Sequence, residues 1–264
     1  LLNYETNLNQ RNESFMKGNK LHELMKKHFV FSFLHFNVFS FPTRDFTPAM
    51  YKLAQEINKA IDVFPQDAKK SNKAVKEAFQ SHFTNNDSYV KKTIKNFASM
   101  PEEFLEGVFK LRHTKDNKFL IHSLYGDIEE GIFGGTIHDI PSHSVEHYMP
   151  QESEEAWGLP KSLSKHHENR LGNILIINAS LNGQLQNKSH NEKMDILRDS
   201  PTINNSVKEF IKHNDEGTGP YDFGKLSESN LKNSHPHESP SEIDKRTSEI
   251  AKYLKEIYIT KMKY

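Results

Sequence analysis

Cysteine is absent from all 264 residues, which excludes disulfides and the Cys-rich structural zinc sites that hold many small domains together. Packing alone must hold any functional site. An excess of charge of one sign is missing too: 35 Lys and Arg stand against 35 Asp and Glu. The chain therefore lacks the broadly basic field expected of a protein that holds duplex nucleic acid by itself. No long apolar run exists either. The longest stretch, Phe29 to Phe41, is interrupted by Ser32, His35, Asn37 and Ser40 and is too short to span a bilayer. Residues 1–20, rich in Asn, Glu and Lys, have no signal-peptide core. The expectation is a cytoplasmic protein with no membrane partner. No Met precedes Leu1, so the chain reads as a fragment whose N-terminal domain is missing. Tryptophan occurs once, as Trp157, and is read as a hydrophobic anchor for its loop rather than a base-stacking platform.

What is present first is helical periodicity. Thr47-Pro48 predicts an N-cap and N1 proline, after which Met50, Leu53, Ile57, Ile61 and Phe64 fall on one face until Pro65 stops the helix. Further helices run through Ala74, Ala78 and Phe79, then Val90, Ile94 and Phe97. Ser99 caps one beginning Pro101-Glu102-Glu103, with Phe104, Val108 and Leu111 as its buried stripe. Phe119 to Glu129 repeats the pattern with Leu120, Leu124 and Ile128. Periodicity leaves the aromatic run at 29–41 open between buried helix and strand. The fold class expected is α+β, predominantly α-helical, with a small ββα motif inserted. The organisation predicted is a helical bundle over 1–130, the motif over 131–213, a loop over 214–240 and a C-terminal helix over 241–264 packing on the helical region. Strand-like pieces are expected at 136–140 and 144–149, followed by a polar loop to about 169.

Chemistry-bearing residues concentrate between 144 and 193. Ser144-Val145-Glu146-His147-Tyr148-Met149-Pro150-Gln151 places a carboxylate and an imidazole side by side at a strand end. Arg170-Leu171-Gly172-Asn173 opens the apolar run Ile174 to Ile177, and Leu181-Asn182, Asn187 and Lys193 follow. Taken singly, a Glu-His dipeptide is an ordinary solvated pair and the asparagines are loop and cap residues. His143 shares a strand face with His147 but is too far along to share an ion with it, and stands as a substrate-side candidate. His166-His167 and His235-Pro236-His237 read as solvent-exposed loop histidines rather than metal ligands.

In HNH nucleases a strand bearing Asp-His or Glu-His leads through a loop to an Asn ahead of an apolar run. A His or Asn on a short helix comes nine residues later, and Asn173 and Asn182 have that spacing. Glu146-His147, Pro150-Gln151, Trp157, Arg170 to Asn173, Leu181-Asn182, Asn187 and Lys193, in that order, resemble a particular branch. It is the DUF1524-like family at the C-terminus of GmrSD-type modification-dependent restriction enzymes and the related SspE phage-defence proteins. The closing segment Asp244-Lys245-Arg246-Thr247 is also similar to that family. Tyr148, Ile174 and His190 depart from its usual residues without removing a chemical group.

The resemblance implies a ββα-metal endonuclease that nicks or cuts DNA within a restriction or anti-phage defence protein. His147 is then the general base, since its near-neutral pKa suits proton abstraction from water. Glu146 and Asn182 offer hard oxygen ligands for Mg²⁺ or Mn²⁺. Asn173 is expected to fix the loop so that His147 points at the water. Lys193 and Arg170 are the expected phosphate contacts. The partners implied are DNA, with phage modification of it, and a DUF262-like modification-sensing domain outside this segment. Two other functions fit the same residues: a nuclease-derived DNA- or protein-binding regulatory module that does not cleave, and an RNase toxin.

Overall fold

A computed structural model describes residues 28–64, 66–135, 143–216, 219–234 and 238–261. The described residues are mostly helical, with one two-stranded sheet, an α+β arrangement. None of their helices is long and apolar enough to cross a membrane. The chain divides into two compact units, at 103/104.

In the first unit the aromatic run resolves as helix, residues 28–33 passing into a π-helical turn at Leu34–Val38. Helices α1 (Thr43–Val63), α2 (Ala68–Thr84) and α3 (Tyr89–Ala98) follow. Leu53, Val75 and Phe79 form a small core with Ile57 and Ile61 packed against it, so the expected face of α1 is the buried one. Its start differs: the helix begins at Thr43, with Pro48 inside it. Asp45 in the first turn suits the positive end of the helix dipole, and Pro48 removes only one hydrogen bond close to an end where bonds are already incomplete. Pro65 lies outside the described residues.

The second unit holds the motif residues. Helix α4 (Pro101–Lys110) leads through a short loop to α5 (Lys118–Gly131). The strand piece expected at 136–140 lies outside the described residues. Strand β1 (His143–His147) pairs antiparallel with β2 (Ile174–Asn178), His147 opposite Ile174 and Glu146 opposite Leu175. Between them the polar loop folds into two short helices, α6 (Glu154–Trp157) and α7 (Lys161–His167), and a 3₁₀ turn at Leu171–Asn173. Helix α8 (Ala179–Leu185) follows β2 directly, with the Asn178 side chain accepting from the Leu181 N–H at 2.7 Å. An Asx N-cap of this kind ends the strand and starts the helix at one residue. Helices α9 (His190–Asp199) and α10 (Asn205–Glu216) complete the scaffold on that side. The stretch expected as a loop over 214–240 contains a 3₁₀ turn at Phe223–Lys225 and helix α11 (Glu228–Lys232). The last helix, α12 (Glu242–Lys255), begins with a Ser241–Asp244 capping box.

The sheet sorts its residues by alternation. Ser144 and Glu146, with their cross-strand partners Ile177 and Leu175, face a core that contains Leu181, Leu185, Met194 and Leu197. Tyr148 closes that core, with its ring edge-on to Trp157 (5.7 Å), Phe210 (4.7 Å) and Phe223 (5.2 Å). Burying aromatic side chains of this size stabilises by about 1.5–3 kcal/mol each, enough to hold a loop that no disulfide ties. Trp157 donates Nε1–H to the Lys188 carbonyl at 2.9 Å, which fits the anchor reading.

Candidate active site

The loop from Glu168 to Ile174 is fastened from several sides. Gly172 lies so close to α12 that an added Cβ would overlap the Ile243 carbonyl oxygen and fall 2.6 Å from Thr247 Oγ1. Its N–H donates to Thr247 Oγ1 at 3.0 Å, while Arg246 Nη1 donates to the carbonyls of Gly172 (2.7 Å) and Ile174 (2.9 Å). From the other side Tyr125 donates its hydroxyl to Leu171 O at 2.6 Å. Arg170 forms an ion pair with the fully buried Asp244. The similar segment Asp244 to Thr247 thus has a physical task, and the last helix packs chiefly on this loop.

Asn173 is wholly buried, and its amide ties three backbone groups together. Oδ1 accepts from Met149 N–H at 2.8 Å, while Nδ2 donates to Met149 O and Glu168 O, each at 2.9 Å. Its own carbonyl accepts from Tyr148 N–H at 2.9 Å, continuing the sheet one bond past His147. These bonds join the end of β1 to the loop that follows α7.

His147 points to the face of β1 opposite Glu146. Its Nε2 lies 3.0 Å from Asn169 Oδ1, and Asn169 Nδ2 donates to Glu168 Oε1 at 3.1 Å. A carboxylate only accepts, so the Asn169 amide oxygen is left facing the imidazole, and His147 Nε2 must carry the hydrogen. The lone pair is then on Nδ1, free to take a proton. Burial holds the His147 pKa below the usual histidine range, against the opposing effect of the Asn169 bond. The ring is therefore neutral near pH 7, as a base requires. Asn169 escaped the sequence reading because nothing in an Asn-rich chain distinguishes it from its neighbours.

A second imidazole stands against the first. His113, on the loop between α4 and α5, has its ring centroid 5.2 Å from that of His147. Its backbone N–H donates to Asn169 O at 2.8 Å, and Arg112 forms a β-bridge with Arg170. His122 is buried on α5 and feels the charges of His143 and His113. No sequence spacing links residue 113 to 147. Only the fold does.

Glu146, Asn182 and Lys193 meet on the core face, and Arg170 lies in the loop before β2. Glu146 is 6 % exposed and its Oε1 is 2.5 Å from the Nζ of Lys193, which is fully buried. Burial pushes the Glu146 carboxyl up and the Lys193 ammonium down, and the ion pair opposes both. Asn182 donates Nδ2 to Ser144 Oγ at 2.9 Å, which puts it over the same face of β1. Its Oδ1 is buried and has no hydrogen-bond partner. Glu146 and Asn182 are thus brought to one face, and His147 is not. Arg170 and Lys193 differ from expectation as well: both spend their charge in ion pairs with buried carboxylates, so neither is offered to a phosphate. His167 is buried rather than exposed, unlike His166, and His235 to His237 lie outside the described residues.

Among the described residues no group of three or more His, Asp or Glu is arranged to hold a metal ion. The donor chemistry nevertheless fits a hard divalent cation, which takes one or two carboxylates and fills its other positions with water and phosphate oxygens. Glu146 could supply the carboxylate, in competition with Lys193, and the unpartnered Asn182 oxygen could supply a neutral donor. The orphaned amide oxygen matters most, because an unsatisfied buried acceptor costs about 1–3 kcal/mol unless something occupies it.

Comparison with the curated proteins and with the solved structures finds no match to this chain. The family described as GmrSD restriction endonucleases, C-terminal domain, matches residues 73–252, a span containing every residue of the site above. This chain belongs to the GmrSD restriction endonuclease C-terminal domain family.

Proposed function

We propose that this chain is the cutting domain of a restriction or defence protein, an HNH-type nuclease that hydrolyses a DNA phosphodiester with His147 as general base. The observation that carries the proposal is the Glu168–Asn169–His147 chain of hydrogen bonds, which sets the tautomer of the imidazole, with the hydrogen on Nε2 and the lone pair on Nδ1. Membership of a restriction endonuclease family supports DNA as the substrate. The order β1, β2, α8 supports the ββα reading.

In this mechanism His147 Nδ1 removes a proton from water as the water attacks phosphorus and the P–O bond to the leaving sugar oxygen breaks, that oxygen taking a proton from solvent, and Asn169 steadies the resulting imidazolium through Nε2–H. Asn173 keeps the end of β1 and the loop in register, so that Asn169 and His147 stay within bonding reach. Glu146 and Asn182 would hold Mg²⁺ or Mn²⁺ on the face of β1 away from His147, so the scissile phosphate would have to reach round the end of the strand to meet both. The ion, when bound, supplies positive charge to the phosphate and the leaving oxygen. Recognition of modified DNA is assigned to a separate sensing domain, in keeping with the neutral charge balance.

A second reading has one observation in its favour. Lys193 already neutralises Glu146, as it would in a nuclease-derived module that binds DNA or protein without cutting. Incubation of the chain with supercoiled plasmid and with structured RNA, each with Mg²⁺, separates the readings. Nicking of the plasmid in preference to RNA is expected. Binding without cleavage in Mg²⁺ or Mn²⁺ sinks the nuclease reading, and preferential cutting of RNA moves the function to a ribonuclease.

A further inference from the structure

The buried ion pairs of Arg170 and Lys193 leave the site without the cations expected to meet a phosphate. The loop between α4 and α5 supplies replacements. Its shape is fixed from within: Asn117 donates Nδ2 to Arg112 O at 2.6 Å and accepts from Thr114 N–H at 2.7 Å. It is fixed from without by the Arg112–Arg170 bridge and by the His113 N–H bond to Asn169. His113 thereby lies rigidly beside His147, with a buried Nε2 that has no hydrogen-bond partner.

Lys118 opens α5, and both it and Phe119 are exposed, Phe119 to 68 %. The charge of Lys118 reaches His113 and His122, helping to hold both histidines below their usual pKa. Lys115 is exposed on the same loop and Asp116 offsets it, while Arg112 is half-buried against backbone carbonyls, so Lys118 is the exposed cation not offset within the loop. A preformed loop with a half-buried imidazole, a projecting ammonium and a bare aromatic ring has the composition of a nucleic-acid contact.

Resting on the nuclease reading for the identity of the substrate, we infer that this loop is the lip of the substrate site. Lys118 and the Nδ1 edge of His113, whose Nε2 is closed off from solvent, contact phosphates of duplex DNA on either side of the bond presented to His147. Cation and imidazole here do the work that Arg170 and Lys193 are too deeply engaged to do. The lip positions the strand, and carries no base code of its own.

The test is duplex DNA binding by the whole chain carrying His147→Ala, so that cleavage and any effect exerted through His147 are both removed. In that background Lys118→Ala is expected to weaken binding several-fold and lower the slope of log K against log salt by about 1, as loss of one phosphate contact does. Lys118→Arg should restore both. His113→Ala should also raise Kd in this background. If His113 merely steadied His147, it would leave Kd unchanged. Thermal melting checks that His113→Ala is folded, and His113→Asn keeps a hydrogen-bond donor should the alanine variant fail to fold. Unchanged Kd and salt slope in the Lys118 and His113 variants, or no DNA binding at all, overturns the lip. Binding that responds to Lys118 and His113 in a chain that never cleaves supports the lip while removing the nuclease reading, so the two failures are distinguishable.

Discussion

Lys193 reaches from α9 across the sheet to within 2.5 Å of Glu146, and the two charges neutralise one another inside the core. The pair occupies the carboxylate that a divalent ion would need. Removing one member of a buried pair leaves an uncompensated charge, at about 3–5 kcal/mol. Lys193→Ala is therefore expected to lower the melting temperature sharply, and Mg²⁺ should restore more of it than it adds to the unaltered protein, because the ion replaces the lost ammonium. Differential scanning fluorimetry with and without Mg²⁺ reads this directly. Equal shifts in both proteins would place the ion somewhere other than Glu146.

Gly172 is a glycine for want of space rather than for want of rotation. Gly172→Ala sets a methyl group against the Ile243 carbonyl oxygen, and destabilisation of more than about 3 kcal/mol is expected from such overpacking. Thr247 is the other close neighbour, yet trimming it leaves the carbonyl in place. The double variant Gly172→Ala, Thr247→Ala should thus melt no higher than Gly172→Ala alone, and recovery would show that the side chain and not the backbone is the obstacle.

Asn169 is a positioning residue, holding His147 through Nε2. Loss of a partner that orients a functional group commonly costs about 10–100-fold. Asn169→Ala should lower kcat by that order with little change in KM, since no substrate contact is removed. A rise in KM at constant kcat would instead make Asn169 part of the binding surface.

Acid should loosen the second unit. Burial depresses the His122 and His167 pKa values to about 4 from the ordinary 6.5. As pH falls below 6.5 the unfolded chain takes up protons that the folded chain refuses until about pH 4, so stability declines across that window and levels off beneath it. Urea midpoints measured from about pH 7.5 to about pH 4 should fall, and His122→Leu with His167→Leu should flatten the curve. A midpoint that holds constant across the window would contradict the neutral burial of these rings.

Local signals were the ones legible in the sequence. The helical stripe of α1, the helix opened by Pro101 and the apolar run of β2 each depend on neighbours a few residues away. Glu146, His147, Asn173 and Asn182 stood out because their order and spacing carry a family resemblance. Hidden were the consequences of packing. Strand alternation set Glu146 and His147 on opposite faces, and helices α9 and α12 brought Lys193 and Asp244 to residues 47 and 74 positions away. His113 joined His147 through a bridge between its loop and the Glu168–Ile174 loop. Such long-range pairings leave no periodicity behind.

The most direct test of His147 as general base is the single-turnover nicking rate of His147→Ala on supercoiled plasmid with Mg²⁺, beside the unaltered chain. Loss of a general base costs about 10²–10⁴-fold, and a fall of that size with DNA affinity retained is expected. A rate for His147→Ala equal to that of the unaltered chain would contradict the assignment and remove His147 from the reaction.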